Sequence, residues 1–177
     1  MIDKMKRAGF VLLLTFLLLV SFALAADEEK IVGLWITPKK DCKIEIFGTG
    51  GQYRGRITWL KEPLYRPDDD GGMAGRPVVD RENPNPNLRS RPLIGLQLME
   101  GFTYIGKNIW ENGTIYNPNN GKTYRRKMIL SAPNRLEVKG FIGIPLLGAT
   151  SVWTREAESS VIPRDYSGYR KPRMGVN

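Results

Sequence analysis

The residues that could do chemistry are few, and the ones that are missing narrow the choice most. The chain has no histidine and a single cysteine, Cys42. That excludes a Ser–His or Cys–His nucleophile pair, a histidine metal ligand and a near-neutral imidazole acid–base. Cys42 alone builds no zinc site of the usual kinds, and its place in an alternating segment suits a buried core thiol. Catalysis would have to rest on carboxylates. Asp80 and Glu82 lie in a turn-rich stretch, with Asp68, Asp69 and Asp70 shortly before them. Two carboxylates hydrolyse glycosides when held about 5–9.5 Å apart across a cleft. Turn formation is the simpler use of Asp80-x-x-Asn83-Pro84, since Asp and Asn side chains bond their own downstream backbone and Pro fixes φ. The Asp68 run lacks the spaced ligands and closing Glu of a calcium loop. This inventory predicts no catalytic residue, no metal site and no cofactor.

Binding chemistry is better represented. Arg89 and Arg91 precede a predicted strand, where they either meet an anionic head group or pair with Asp80 or Glu82 to pin the local loop. Tyr116, Lys122 and Tyr124 flank one hairpin. They form either a polar binding rim, or a cross-strand aromatic pair beside an edge lysine. The candidate ligand-binding residues are therefore Arg89, Arg91, Tyr116, Lys122 and Tyr124, with Asp80 and Asn83 as a loop motif.

The elements that must position these residues follow a period of two. Apolar residues alternate through Ile44 and Ile46, through Tyr53, Gly55, Ile57 and Trp59, and through Leu136, Val138, Gly140 and Ile142. Ile94, Leu96 and Leu98 share a face as well. Alternation of this kind marks strands with one buried face. Turn chemistry separates them: residues 48–51, Asn112-Gly113 as the strongest hairpin signal, residues 117–121, and Ala132-Pro133-Asn134. Seven to nine hairpin-linked strands form a meander, and a meander this long tends to close into a barrel to remove its edges. The expected inner wall is Ile44, Ile46, Ile57, Trp59, Leu96, Leu98, Leu136 and Val138. Residues 63–92 break the rhythm as a long irregular segment, a lid, binding loop or insert.

The N-terminus reads as a cleavable secretory signal. Lys4, Lys6 and Arg7 precede an apolar run over residues 10–20, and Ala23-Leu24-Ala25 supplies a small-x-small cleavage site. The run is short for a spanning helix. Three units are expected: a signal at residues 1–25, a barrel at 26–155 and a basic, disordered tail at 156–177. The net charge is +9. Cleavage removes Lys4, Lys6, Arg7 and Asp3, leaving +7. A basic surface attracts polyanions, but export argues against nucleic acid and for anionic lipid head groups, lipopolysaccharide or acidic glycans. An envelope partner or anionic surface met through the tail is the other expected contact.

Two local patterns carry a resemblance. Gly33-Leu34-Trp35 opens the first strand and Trp153-Thr154-Arg155 ends the last. This pairing resembles the calycins, lipocalins and fatty-acid-binding proteins, where an Arg from the final strand packs across an early Trp. A longer ordered string is similar to a signal-bearing bacterial family known as domain of unknown function twenty-one forty-seven. It comprises Gly33-x-Trp35, Gly55-x-Ile57-x-Trp59, Asp80-x-x-Asn83-Pro84, Arg91-Pro92-Leu93-x-Gly95-Leu96, Gly113-x-Ile115-Tyr116-x-Pro118, Gly121-Lys122-x-Tyr124, Leu136-x-Val138-x-Gly140 and Trp153-x-Arg155. The resemblance implies an all-β, single antiparallel up-and-down barrel of about eight strands, lipocalin-like, in the periplasm or secreted, and carries over no catalytic residue. The leading expectation is a non-enzymatic barrel that binds a small apolar or amphiphilic ligand. The alternatives are a structural or interaction module with a filled barrel and, third, a carboxylate-based hydrolase.

Overall fold

The computed structural model describes residues 27–69, 71–140 and 150–157. The expected signal helix and cleavage site lie outside the described residues, as do Asp70, Ile142 and the tail beyond Ala157. Eight antiparallel strands follow one another: β1 (Gly33–Ile36), β2 (Cys42–Thr49), β3 (Gln52–Leu60), β4 (Gln97–Tyr104), β5 (Ile109–Asn117), β6 (Lys122–Ala132), β7 (Arg135–Gly140) and β8 (Ser151–Arg155). Each pairs with its sequence neighbour, and β8 closes on β1, where Trp35 faces Arg155 and Ile36 faces Thr154. The result is a closed up-and-down barrel with no free edge.

One end of the barrel is sealed. A 3-10 turn, Glu29–Ile31, places Ile31 in the core, and the Trp35 indole Nε1–H donates to the Ile31 carbonyl at 2.9 Å. Arg155 closes this end from outside. Its Nη1 donates to the Val32 carbonyl and its Nε to the Pro133 carbonyl, both at 2.7 Å, while Nη2 donates to the Lys30 carbonyl. Its guanidinium stacks 4.3 Å from the Trp35 ring centre. Gly33 is required there: its φ is +135°, and a Cβ would lie 2.6 Å from Arg155 Nη1. Above this plug, Trp35, Ile46, Met99, Phe102, Trp110, Met128 and Leu136 are wholly excluded from solvent. The lower barrel is filled by its own side chains.

Three expectations fail, each at a bulge or turn that breaks the period of two. Asn112-Gly113 is not a hairpin turn. It lies inside β5, where Asn112 has φ +66° and the register with β6 shifts between Trp110 and Gly113. The β4–β5 reversal comes earlier, at Lys107 and Asn108, with φ +53° and +57°. Trp59 is not on the inner wall. The register shift beside Ile44 sets Trp59 opposite Lys43, whose ammonium lies 5.3 Å from its ring centre, and leaves Trp59 half-buried. Ile94 falls in the turn before β4 instead of sharing a strand with Leu98. In β4 itself, Gly55 pairs with Met99 and Arg56 with Gln97, so a bulge lets the consecutive residues Leu98 and Met99 both be buried.

Candidate functional site

The end opposite the plug carries the β1–β2 turn, the β3–β4 connection and the β5–β6 turn. The described part of this connection, residues 61–69 and 71–96, is tied by its own pairings. Isolated bridges join Leu64 to Pro77 and Val79 to Pro92, and the Leu96 carbonyl accepts the Ile57 amide at 3.0 Å.

Its centre is Asp80, fully buried. Asp80 Oδ2 accepts Asn83 Nδ2 at 2.7 Å, Arg91 Nε at 2.9 Å and Arg91 Nη2 at 2.8 Å. Oδ1 accepts the Tyr116 hydroxyl at 2.6 Å. Burial works against the charge on Asp80, but the hydrogen bonds from Tyr116, Asn83 and Arg91 outweigh it and hold the pKa below the ordinary carboxylate value. The Tyr116 hydroxyl is pushed up, by burial first and then by the carboxylate beside it. Asn83 Oδ1 accepts the Asn85 amide at 2.9 Å, and the Asn83 carbonyl accepts Arg89 Nε at 2.8 Å. Four donor hydrogens thus saturate a solvent-free carboxylate, an arrangement that pins the loop against β5. Gly121 makes the close fit possible, because a Cβ there would lie 2.0 Å from the Glu82 carbonyl oxygen.

The candidate residues separate accordingly. Arg91, Tyr116, Asp80 and Asn83 meet in one network, and Arg89 braces it from an exposed position. Tyr116 and Tyr124 do not form a cross-strand pair. Tyr116 sits opposite Thr123 and Tyr124 opposite Ile115, so the two rings lie on opposite faces. The Tyr124 hydroxyl accepts Asn120 Nδ2 at 2.9 Å, and Lys122 is exposed beside that turn. Arg81 bridges Asp69 at 2.8 Å, an acidic turn tied to the loop. Among the described residues, no group of three His, Cys, Asp or Glu is placed to hold a metal ion.

Under the loop a cleft of about 620 Å³ opens into the barrel mouth. Ile44, Ile57 and Leu98 form its floor, and Val78, Leu93 and Pro118 come from the loop and the β5–β6 turn. A smaller polar recess of about 300 Å³ lies beside Arg91 and Tyr116. The loop's apolar contribution, Val78 and Leu93, was not anticipated by strand alternation, because it comes from a segment without a period. Arg126 stands on the inner face of β6, opposite Gly113 and Gly140. It lies two residues from Met128 in an unbroken strand, so the alternation of Tyr124, Arg126, Met128 and Leu130 carried the signal.

Residues 33–155, from β1 to β8, match the model of a family described as "Uncharacterized protein conserved in bacteria (DUF2147)". The chain belongs to DUF2147. The matched span of this DUF2147 protein contains both the Trp35–Arg155 closure and the Asp80 network. No curated protein matches the sequence. A solved structure described as "Protein HP1028 from the human pathogen Helicobacter pylori belongs to the lipocalin family" is similar, with a TM-score of 0.59 at 22% identity. The match covers 73% of this chain and 84% of that chain. At that identity the likeness concerns the fold, and the fold is lipocalin-like.

Proposed function

We propose that this DUF2147 protein is an exported, non-enzymatic barrel that binds one small apolar or amphiphilic ligand in its mouth. The observation that carries this reading is the cleft of about 620 Å³ floored by Ile44, Ile57 and Leu98. Its size is that of an ordinary small-molecule pocket, and its apolar floor suits an acyl chain, while Lys39, Asp41, Lys61 and Glu62 add charged groups to its lining. The packed lower barrel confines the ligand to the upper half. Export through residues 1–25, and contact with an anionic envelope surface or envelope protein through the basic tail, belong to the same proposal.

A filled interaction module is the second reading, favoured by the solvent-free packing of Trp35, Phe102 and Trp110. Native mass spectrometry of the freshly purified protein separates the two. A co-purified lipid-sized mass supports the binding barrel, and that mass disappears in Leu60→Trp, which fills the cleft from its wall. A clean apo mass favours the interaction module.

A further inference from the structure

The mouth reading leaves the ligand's head group open, and the inner wall of β6 speaks to it. Along β6 the register with β7 is unbroken from Arg126 to Leu130: Arg126 opposite Gly140, Met128 opposite Val138, Leu130 opposite Leu136. On the other side Gly113 faces Arg126 and Ile115 faces Tyr124. Side chains alternate across a strand, so Tyr124, Arg126, Met128 and Leu130 share one face. Met128 and Leu130 are buried in the core, so that face is the inner one. A guanidinium therefore stands inside the barrel, one pleat nearer the mouth than a sealed methionine.

Among the described residues, its partners do not satisfy it. The group lies 5.1 Å from the Tyr124 ring centre, and its hydrogen bond to the Arg125 carbonyl is long, at 3.5 Å. Among the described residues no carboxylate bridges it. The arginines at the two ends of the barrel differ: Arg91 is held by Asp80 and Arg155 by three carbonyls. A guanidinium has five donors in a planar fork, matched to a carboxylate or phosphate. A charge on an enclosed wall needs such a partner to offset lost hydration. On the β7 side Gly140 puts no side chain beside it, while on the β5 side Gly113 yields its space to the Phe102 ring. Arg126 and Tyr124 both remain partly exposed.

We propose that Arg126, stacked on Tyr124, anchors a single anionic group, carboxylate or phosphate, on an amphiphile whose tail lies across the mouth against Ile44, Ile57 and Leu98. This rests on the mouth being a ligand site. Arg89 and Arg91, engaged in the Asp80 network, hold the loop and not the head.

The test is displacement of the neutral probe N-phenylnaphthylamine from the delipidated protein by dodecanoate, dodecyl phosphate and dodecanol. At least one anion should displace the probe at a tenfold lower concentration than the alcohol, and the tighter of the two anions names the head-group class. Arg126→Gln should cost that anion at least tenfold while leaving dodecanol within about twofold, and Arg125→Gln, on the outer face, should change nothing. Should Arg126→Gln fail a thermal-melt check of folding, Arg126→Lys, which keeps the charge without the fork, takes its place with a several-fold loss. Equal affinity for anion and alcohol in the wild type, or a preference that survives the Arg126 variant, overturns the head-group assignment alone. If none of the three displaces the probe, the mouth is not a ligand site and both proposals fall.

Discussion

The Tyr116 hydroxyl donates to Asp80 Oδ1 across 2.6 Å, joining the middle of the long β3–β4 connection to the outer face of β5. The two residues are far apart in sequence, and both titrations are displaced: Asp80 downward, its hydrogen bonds outweighing burial, and Tyr116 upward, by burial and then by the contact. The pair therefore stabilises the fold over a bounded range of pH. A carboxylate whose folded pKa lies below its unfolded value, about 3.9, contributes fully above that value. Its contribution is lost as pH falls through the folded pKa. A phenol whose folded pKa is raised contributes below about 10 and loses that contribution as pH rises through its folded pKa. Urea midpoints measured across pH should fall on both flanks. Asp80→Asn should flatten the acid limb, and Tyr116→Phe should soften the alkaline one, where Tyr53 also titrates high. Unchanged limbs would remove the pair from this role.

Removing the carboxylate altogether is more severe. Asp80→Ala leaves Arg91, Asn83 and the Tyr116 hydroxyl without their common acceptor. With Arg91 partly exposed, about 2–4 kcal/mol of stability should be lost. Denaturant melts at neutral pH measure it, and limited proteolysis should show cleavage moving into residues 61–96.

At the sealed end, Arg155→Ala removes the stacking on Trp35 and three hydrogen bonds to carbonyls. The expected cost is about 1.5–3 kcal/mol, against roughly 0.5 kcal/mol for an exposed arginine. Gly33→Ala should be comparably damaging, since its Cβ meets Arg155 Nη1 at 2.6 Å in a backbone conformation that alanine resists. Melts of both variants, compared at equal slope, check this.

Cys42 should be inert. Burial first, then the nearby Asp41 carboxylate, pushes its thiol up to about 12. At pH 8 roughly one molecule in 10,000 carries the reactive thiolate. A thiol reagent should label the native protein far more slowly than the urea-unfolded chain. Equal rates would place Cys42 in an ordinary aqueous setting.

Much of the barrel was legible because a half-buried strand writes its face into every second residue. Ile44, Ile46, Leu136 and Val138 are inside as their alternation implies, and Trp35 with Arg155 closes the barrel as the terminal motifs suggested. The reading failed where one extra residue shifts the phase. Asn112-Gly113 has the composition of a turn, yet its positive φ serves a bulge within β5. Trp59 lost its inner place to the bulge beside Ile44. The Asp80 network was legible only in part: Asn83 does bond its downstream backbone, as turn chemistry requires, and Arg91 does pair with Asp80. The contact with Tyr116 was not legible, because a partner 36 residues away leaves no local trace. The cleft escaped for the same reason, since Lys61, Glu62, Val78 and Leu93 of its lining come from an aperiodic loop.

The central claim is that the mouth of this barrel takes an acyl chain, and a chain-length series tests it most directly. Saturated fatty acids of increasing length are titrated against a bound fluorescent probe on the delipidated protein. The account predicts affinity rising by about 0.8 kcal/mol, or about fourfold, for each added methylene, until a plateau marks the length at which the cleft of about 620 Å³ is full. No displacement at micromolar protein, or affinity that does not change with chain length, would contradict it.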